Sequence, residues 1–129
     1  MLKTKSCGVI LVLVLSAIVG TGIVLAQTTV EISIAPATLN LADIDDKCVT
    51  VHTDIAYNEY NTYAWDLNGV AAAYTKEDNR GNLVVKFDRA AVAGIVDVGE
   101  EVPLTLTGTT LDGVSITGSD TIRVINSER

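Results

Sequence analysis

The feature that most constrains this chain is a two-residue alternation of apolar and polar side chains that recurs from residue 30 to residue 124. Val30, Ile32 and Ile34 alternate with Thr29, Glu31 and Ser33, and Val49, Val51 and Ile55 alternate with Thr50, His52 and Asp54. Tyr63, Trp65 and Leu67 alternate with Ala64, Asp66 and Asn68. Leu83, Val85 and Phe87 flank Val84 and Lys86, and Val102, Leu104 and Leu106 alternate with Pro103, Thr105 and Thr107. Val114, Ile116, Ile122 and Val124 form the last set, and Leu39 and Leu41 a short one. A period of two puts every apolar residue of a segment on one face of an extended strand, so each segment needs a second apolar layer to cover it. Asn68-Gly69, Asn79 to Asn82, Gly99 and Asp112-Gly113 supply turn chemistry between the runs. About seven short strands so punctuated predict an all-β antiparallel sandwich. One interruption is helical in character. Arg89 to Ile95, preceded by Asp88 as cap and followed closely by Gly94, predicts a helical turn joining two strands. Gly118, in the middle of an apolar run, predicts a bulge. Thr28 to Ile34 is expected to pair within its own chain rather than to complete a neighbour's sheet.

The start of the chain follows different rules. Lys3 and Lys5 precede an uncharged run from Gly8 to Ala26, and Val24-Leu25-Ala26 ends that run in a cleavable triplet before Gln27. This is the pattern of a secretory signal peptide over residues 1–26, with one domain over residues 27–129. The same run is long enough to serve as an uncleaved membrane anchor. Export implies a secreted or cell-surface location and an oxidising compartment. Cys48 is the one cysteine outside the leader, so it reads as a small hydrophobe or as a free thiol available for intermolecular pairing, the former preferred.

The chain holds nine Lys and Arg against sixteen Asp and Glu, for a formal net charge of −7. Two of the lysines lie in the leader and none of the carboxylates does, so residues 27–129 carry a formal charge of −9. Such a domain repels nucleic acid and anionic membrane surfaces, leaving membrane contact only through an uncleaved leader.

The region from Leu83 onward is the most distinctive. Leu83-Val84-Val85-Lys86-Phe87-Asp88-Arg89 leads through Val98-Gly99-Glu100-Glu101-Val102 and Leu104-Thr105-Leu106-Thr107-Gly108 to Gly118-Ser119-Asp120-Thr121-Ile122-Arg123-Val124. With Ala35 to Leu41, Val49-Thr50-Val51 and Leu67-Asn68-Gly69, these residues resemble a family of immunoglobulin-like sandwich modules found in secreted and cell-surface proteins of archaea and some bacteria. The resemblance implies an immunoglobulin-like fold and an extracellular setting. Many members carry an Asp/Gly-rich, calcium-suited loop before the Lys-Phe-Asp motif. The matching stretch here is Tyr74 to Asn82, where Asp78 and Asn82 fall on positions at which the family tends to have Asp.

Candidate chemistry is sparse. Calcium takes six to eight oxygen ligands, and Glu77, Asp78 and Asn82 offer a few, but Lys76 and Arg80 put positive charge among them. No cofactor is therefore expected, and calcium is the only candidate. A second acidic cluster, Asp43, Asp45 and Asp46, is suited to capping a loop or to holding a cation. Cys48 and His52 share a strand face but stand four residues apart, about 13 Å along a strand, too far to share one zinc ion. His52 is the only histidine, and no nucleophile elbow or oxyanion loop accompanies it, so a non-catalytic protein is expected. The richest binding chemistry lies in Tyr57, Asn58, Tyr60 and Asn61. Tyrosine supplies rigid contact area with a polar tip and asparagine adaptable hydrogen bonds, the mix used by binding loops. Together these features predict an extracellular binding or adhesion module for a protein or surface glycan. The rival classes are a surface-layer or filament subunit that self-associates through its strands and a weak carbohydrate- or calcium-binding domain.

Overall fold

The computed structural model describes residues 27–58, 62–111 and 113–127. The expected leader therefore lies outside the described residues, and no described helix is long and apolar enough to cross a membrane. Among the described residues, ten strands and one helix follow one another: β1 (Gln27–Thr29), β2 (Ile32–Ala35), β3 (Thr38–Asn40), β4 (Cys48–Ala56), β5 (Thr62–Leu67), β6 (Val70–Ala71), β7 (Tyr74–Glu77), β8 (Asn82–Asp88), α1 (Arg89–Ala93), β9 (Gly99–Thr110) and β10 (Ser115–Ile125). They form two sheets packed as a β-sandwich. One has the order β1-β10-β9-β5-β6 with β3 also on β10, and the other the order β2-β4-β8-β7. All pairings are antiparallel except those of β1 and β3, which run parallel to β10.

The interior consists of the alternating residues of both sheets. Leu39, Leu67, Leu104, Leu106 and Ile116 from one sheet meet Val49, Val51, Val85 and Phe87 from the other, all at 1% exposure or less. Among the described residues, Thr53 and Thr110 are the buried polar ones. Thr53 Oγ1 donates to the Leu83 carbonyl at 2.8 Å, and Thr110 Oγ1 accepts from the Val114 amide at 3.0 Å, so neither hydroxyl is an uncompensated polar group in the core.

The first predicted strand is divided. Residues 27–29 pair with β10, the chain crosses at Val30-Glu31, residues 32–35 pair with β4, and after the cis Ala35-Pro36 bond residues 38–40 return to β10. Alternation persists through the crossing because Val30 and Ile34 face the interior whichever sheet holds the backbone. Main-chain bonds from Val30 N–H to the Thr117 carbonyl (2.9 Å) and from Arg123 N–H to the Ala37 carbonyl (2.8 Å) fasten both ends. Within the chain, Thr28 and Thr29 pair with β10 and Ile32 to Ile34 with β4. The opposite side closes in a similar way. The chain passes from β6 to β7 over two residues, with Ala72 N–H on the Trp65 carbonyl and Ala73 N–H on the Lys86 carbonyl. Strands that change sheet on both sides leave short edges, which protects against edge pairing.

Local rules account for the connections. Asn68 (φ 48°) and Gly69 (φ 93°) make the tight β5–β6 turn, where both central residues need positive φ. Asp88 caps α1, its carboxylate accepting from the Ala91 amide at 3.1 Å, and Gly94 ends it, as the sequence predicts. Gly118 is not a bulge. It pairs in register with Leu106, and the shift in β10 falls between Ile122 and Val124. Gly118 is needed because a Cβ there would stand 2.7 Å from the Val30 carbonyl oxygen and 2.8 Å from Ile32 Cγ2.

Candidate functional site

Three connections meet at one end of the sandwich. The chain leaving β4 turns at Tyr57, whose amide donates to the Gly81 carbonyl at 2.8 Å and so ties it to the β7–β8 turn. It re-enters β5 at Thr62, opposite Thr110 at the close of β9. Thr110 anchors the β9–β10 hairpin, its amide donating to the Val114 carbonyl at 2.9 Å. Gln27, opposite Ser115, brings the start of the domain to the same end.

The predicted binding residues divide accordingly. Asn58 is exposed at this end. Tyr57 is partly buried against the core, so its ring packs at the rim while its backbone sets the loop. Tyr60 and Asn61 lie outside the described residues. Leu111, 64% exposed at the tip of the β9–β10 hairpin, was not a sequence candidate. Its signal was a large apolar residue placed directly before the Asp112-Gly113 turn.

The acidic stretch is a hairpin rather than a loop. Tyr74 to Glu77 form edge strand β7, Asp78 opens the turn and Asn82 begins β8. Asp78 Oδ1 accepts from the Arg80 amide at 2.8 Å and the Asn82 amide at 2.9 Å, and Gly81 (φ 84°) supplies the left-handed residue. The Asn82 amide, aided by the Arg80 amide and charge, holds the Asp78 carboxyl below its usual value against some desolvation. Glu77, Asp78 and Asn82 are thus neighbours, but one oxygen of the central carboxylate is committed to its own turn. Among the described residues no group of three or more His, Cys, Asp or Glu side chains is placed to hold a metal.

The second acidic cluster lies at the other end, beside α1. Asp45 Oδ1 accepts from the Lys47 amide at 3.0 Å and stands 3.5 Å from Arg89 Nη1, and Arg89 Nη2 donates to the Cys48 carbonyl at 3.1 Å. The Lys47 amide and the Arg89 charge keep the Asp45 carboxyl low. Its role is to brace the β3–β4 loop on the helix. Cys48 is only half-buried, unlike the buried small hydrophobe preferred from the sequence. His52 is exposed on the polar face of β4, as expected.

No protein-family model and no curated protein matches this chain.

Proposed function

We propose that this chain is a secreted, immunoglobulin-like binding module that acts without catalysis by contacting a cell-surface or matrix partner through the loop end of its sandwich. The immunoglobulin-like reading draws on the sheet order. A first strand shared between the sheets, a four-strand β2-β4-β8-β7 layer and a β10-β9-β5 layer joined by an interlayer helical turn are the layout of that fold. The observation that carries the functional reading is the convergence of the β4–β5, β7–β8 and β9–β10 connections, with Asn58 and Leu111 exposed on a rigid two-layer support. Recognition residues gather on loops held by such scaffolds because a loop varies without disturbing the core.

Gln27 belongs to that same end, so the fate of the leader controls access to it. Cleavage after Ala26 frees the loops. A retained anchor would hold them against the bilayer. Intact-mass measurement of the native protein is expected to give a chain beginning at or near Gln27.

The binding reading is tested by saturable retention of the purified protein on the cell envelope of its source, measured for wild type and for an Asn58→Ala, Leu111→Ser double variant. Loss of retention with unchanged circular dichroism is expected. Retention unaffected by the double variant would move the contact away from this end. Filaments of the purified protein in electron micrographs would replace the module with a structural subunit.

A further inference from the structure

A shallow hollow of about 220 Å³ opens on the outer face of the β2-β4-β8-β7 sheet, lined by Thr50 and His52 of β4, Val84 and Lys86 of β8, Lys76 and Glu77 of β7, and Asp78 and Asn79 of the turn. Val84 is 2% exposed although it is no part of the sandwich interior, so the hollow has an apolar floor on a sheet face that otherwise meets water. Strand register sets two rows of side chains across it. Lys76 lies opposite Val84 and Val84 opposite His52, while Tyr74 lies opposite Lys86 and Lys86 opposite Thr50.

Two lysines and two carboxylates line this hollow, yet neither lysine is paired directly with a carboxylate among the described residues. Lys86 is half-buried, and its Nζ donates to a neutral acceptor, Thr50 Oγ1, at 2.8 Å. Among the described residues neither Lys76 nor Lys86 forms an ion pair, the salt bridges being Arg89–Asp45 and Arg123–Glu100. Glu77 and Asp78 also line the hollow, each with one oxygen engaged at the β7–β8 turn. Asp78 Oδ1 takes the amides of its own turn, and Glu77 Oε2 lies over Gly81, 3.4 Å from where a Cβ would stand. Desolvation, with the like charge of Lys76, holds the Lys86 ammonium below its usual value. A half-buried cation beside a second cation, with no anion paired to either, is a cost that a bound anion removes.

We propose that this hollow holds the single acidic group of a sugar residue, a hexuronate carboxylate or a sugar sulfate, within an otherwise neutral glycan. Lys76 and Lys86 face the anionic oxygens. Thr50, His52 and Asn79 offer hydrogen bonds suited to hydroxyls. Tyr74, 48% exposed on the same face across from Lys86, presents a ring to the apolar side of the sugar. The domain's overall negative charge selects for one acidic group rather than many. A polyanion meets the whole surface, whereas one charge beside two lysines is screened from the rest beyond about 8 Å at physiological salt. This site adjoins the loop end through the β7–β8 turn but lies on the outer sheet face, and it does not depend on the function proposed for that end.

The test is a titration of the purified protein with a glucuronate-containing disaccharide, a 6-sulfated disaccharide, their neutral parent and a tetraglutamate peptide, followed by amide chemical shifts and calorimetry. The acidic sugars are expected to move the amides of Thr50, His52, Val84 and Lys86, and to bind about tenfold or more tightly than the neutral parent. The order of the two acidic sugars identifies the group, carboxylate or sulfate. Lys86→Met, which keeps the aliphatic stem over Thr50, and Lys76→Met, on an exposed side chain, should each remove most of that advantage. Leu111→Ser, at the loop end, should leave it intact. Should Lys86→Met fail to fold, Lys76→Met alone decides. Equal binding of the neutral parent, full binding by the lysine variants, tighter binding of tetraglutamate, or no binding of either acidic sugar at millimolar concentration overturns the proposal.

Discussion

The six-membered ring of Trp65 packs directly against Gly108. The two residues are direct cross-strand partners on β5 and β9, and a Cβ on Gly108 would stand 2.6 Å from Trp65 Cε3 and 2.7 Å from Cζ3. No rotation of a flexible chain end relieves such a contact, because the obstruction is the rigid indole. The glycine therefore creates the space that lets the one tryptophan reach 8% exposure inside the sandwich.

Gly108→Ala is accordingly expected to displace the indole and to lower stability by about 1–3 kcal/mol, the usual cost of overpacking a filled interior. Tryptophan emission should shift to the red and the denaturant midpoint should fall. Combining it with Trp65→Leu should recover part of the loss, since the two sites share one volume. Unchanged emission and midpoint in Gly108→Ala would show that the ring does not depend on the missing Cβ.

The placement of Trp65 in the core was legible from its alternation with Asp66, and α1 was legible from the Asp88 cap and Gly94. These are local rules, and the side chains that obey them are adjacent in sequence. What escaped depends on partners distant in sequence. Parity says that Val30, Ile32 and Ile34 share a face, but it carries no information on which sheet bonds the backbone, so one predicted strand became β1 and β2. β7 was missed because an edge strand with an outward Tyr74 and Lys76 buries too little to alternate in hydropathy. Gly118 gave the signal common to a bulge and a close approach, and only the Val30 carbonyl decides between them. For the candidate site, the Tyr57-Asn58 segment was legible from composition. Its neighbours Gly81 and Leu111, and the hollow around Lys86, arise from strand register.

Asp78 provides a prediction in acid. Its carboxyl is held below its usual 3.8 chiefly by the Asn82 amide, so the ionised form favours the folded state. That contribution is present above 3.8 and is lost as pH falls through the lower folded value. Asp78→Asn keeps an oxygen for the Arg80 and Asn82 amides but cannot ionise. It should lose less stability than wild type on acidification, whereas Asp78→Ala should be destabilised at neutral pH as well. Millimolar calcium should leave the Tm of wild type nearly unchanged. A calcium-dependent rise that disappears in Asp78→Ala would restore a cation site, since a ligand bound only by the folded state raises Tm.

Lys86 provides the opposite case in alkali. Desolvation and then Lys76 place its folded pKa below the usual 10.5. Between the folded value and 10.5 the unfolded chain binds more protons, so stability attributable to this group rises with pH across that window and is lowest below it. Lys86→Met should abolish the rise and should be at least as stable as wild type at neutral pH. Parallel urea titrations of the two proteins from neutral pH to 10.5 check this. A gap that is constant with pH would mean that the ammonium is not desolvated in the fold.

The N-terminal crossing decides whether the domain closes on itself. Asp120 of β10 reaches across the sandwich and accepts the Ile34 amide of β2 on Oδ2 at 2.9 Å, while its Oδ1 accepts its neighbour's amide, Thr121 N–H, at 2.8 Å. Ile34 otherwise pairs with Val51 on the β4 side, so Asp120 satisfies the amide on the edge that a foreign strand would use. Two residues away, Gly118 admits the Val30 carbonyl to a distance that no side chain permits. Val30 and Ile34 then bury apolar surface worth roughly 1.5–3 kcal/mol each. Deleting residues 27–35 should therefore destabilise the monomer by several kcal/mol, a large part of the 5–15 kcal/mol typical of a domain. Asp120→Ala should cost about 1–3 kcal/mol by leaving the Ile34 amide unpaired. It should also raise the fraction of strand-exchanged dimer seen by size-exclusion chromatography at high protein concentration, because the freed edge accepts a second chain. A truncated protein that stays folded and is stabilised by an added Thr28–Ile34 peptide, with wild type forming polymers that the deletion abolishes, would instead assign this strand to a neighbour's sheet.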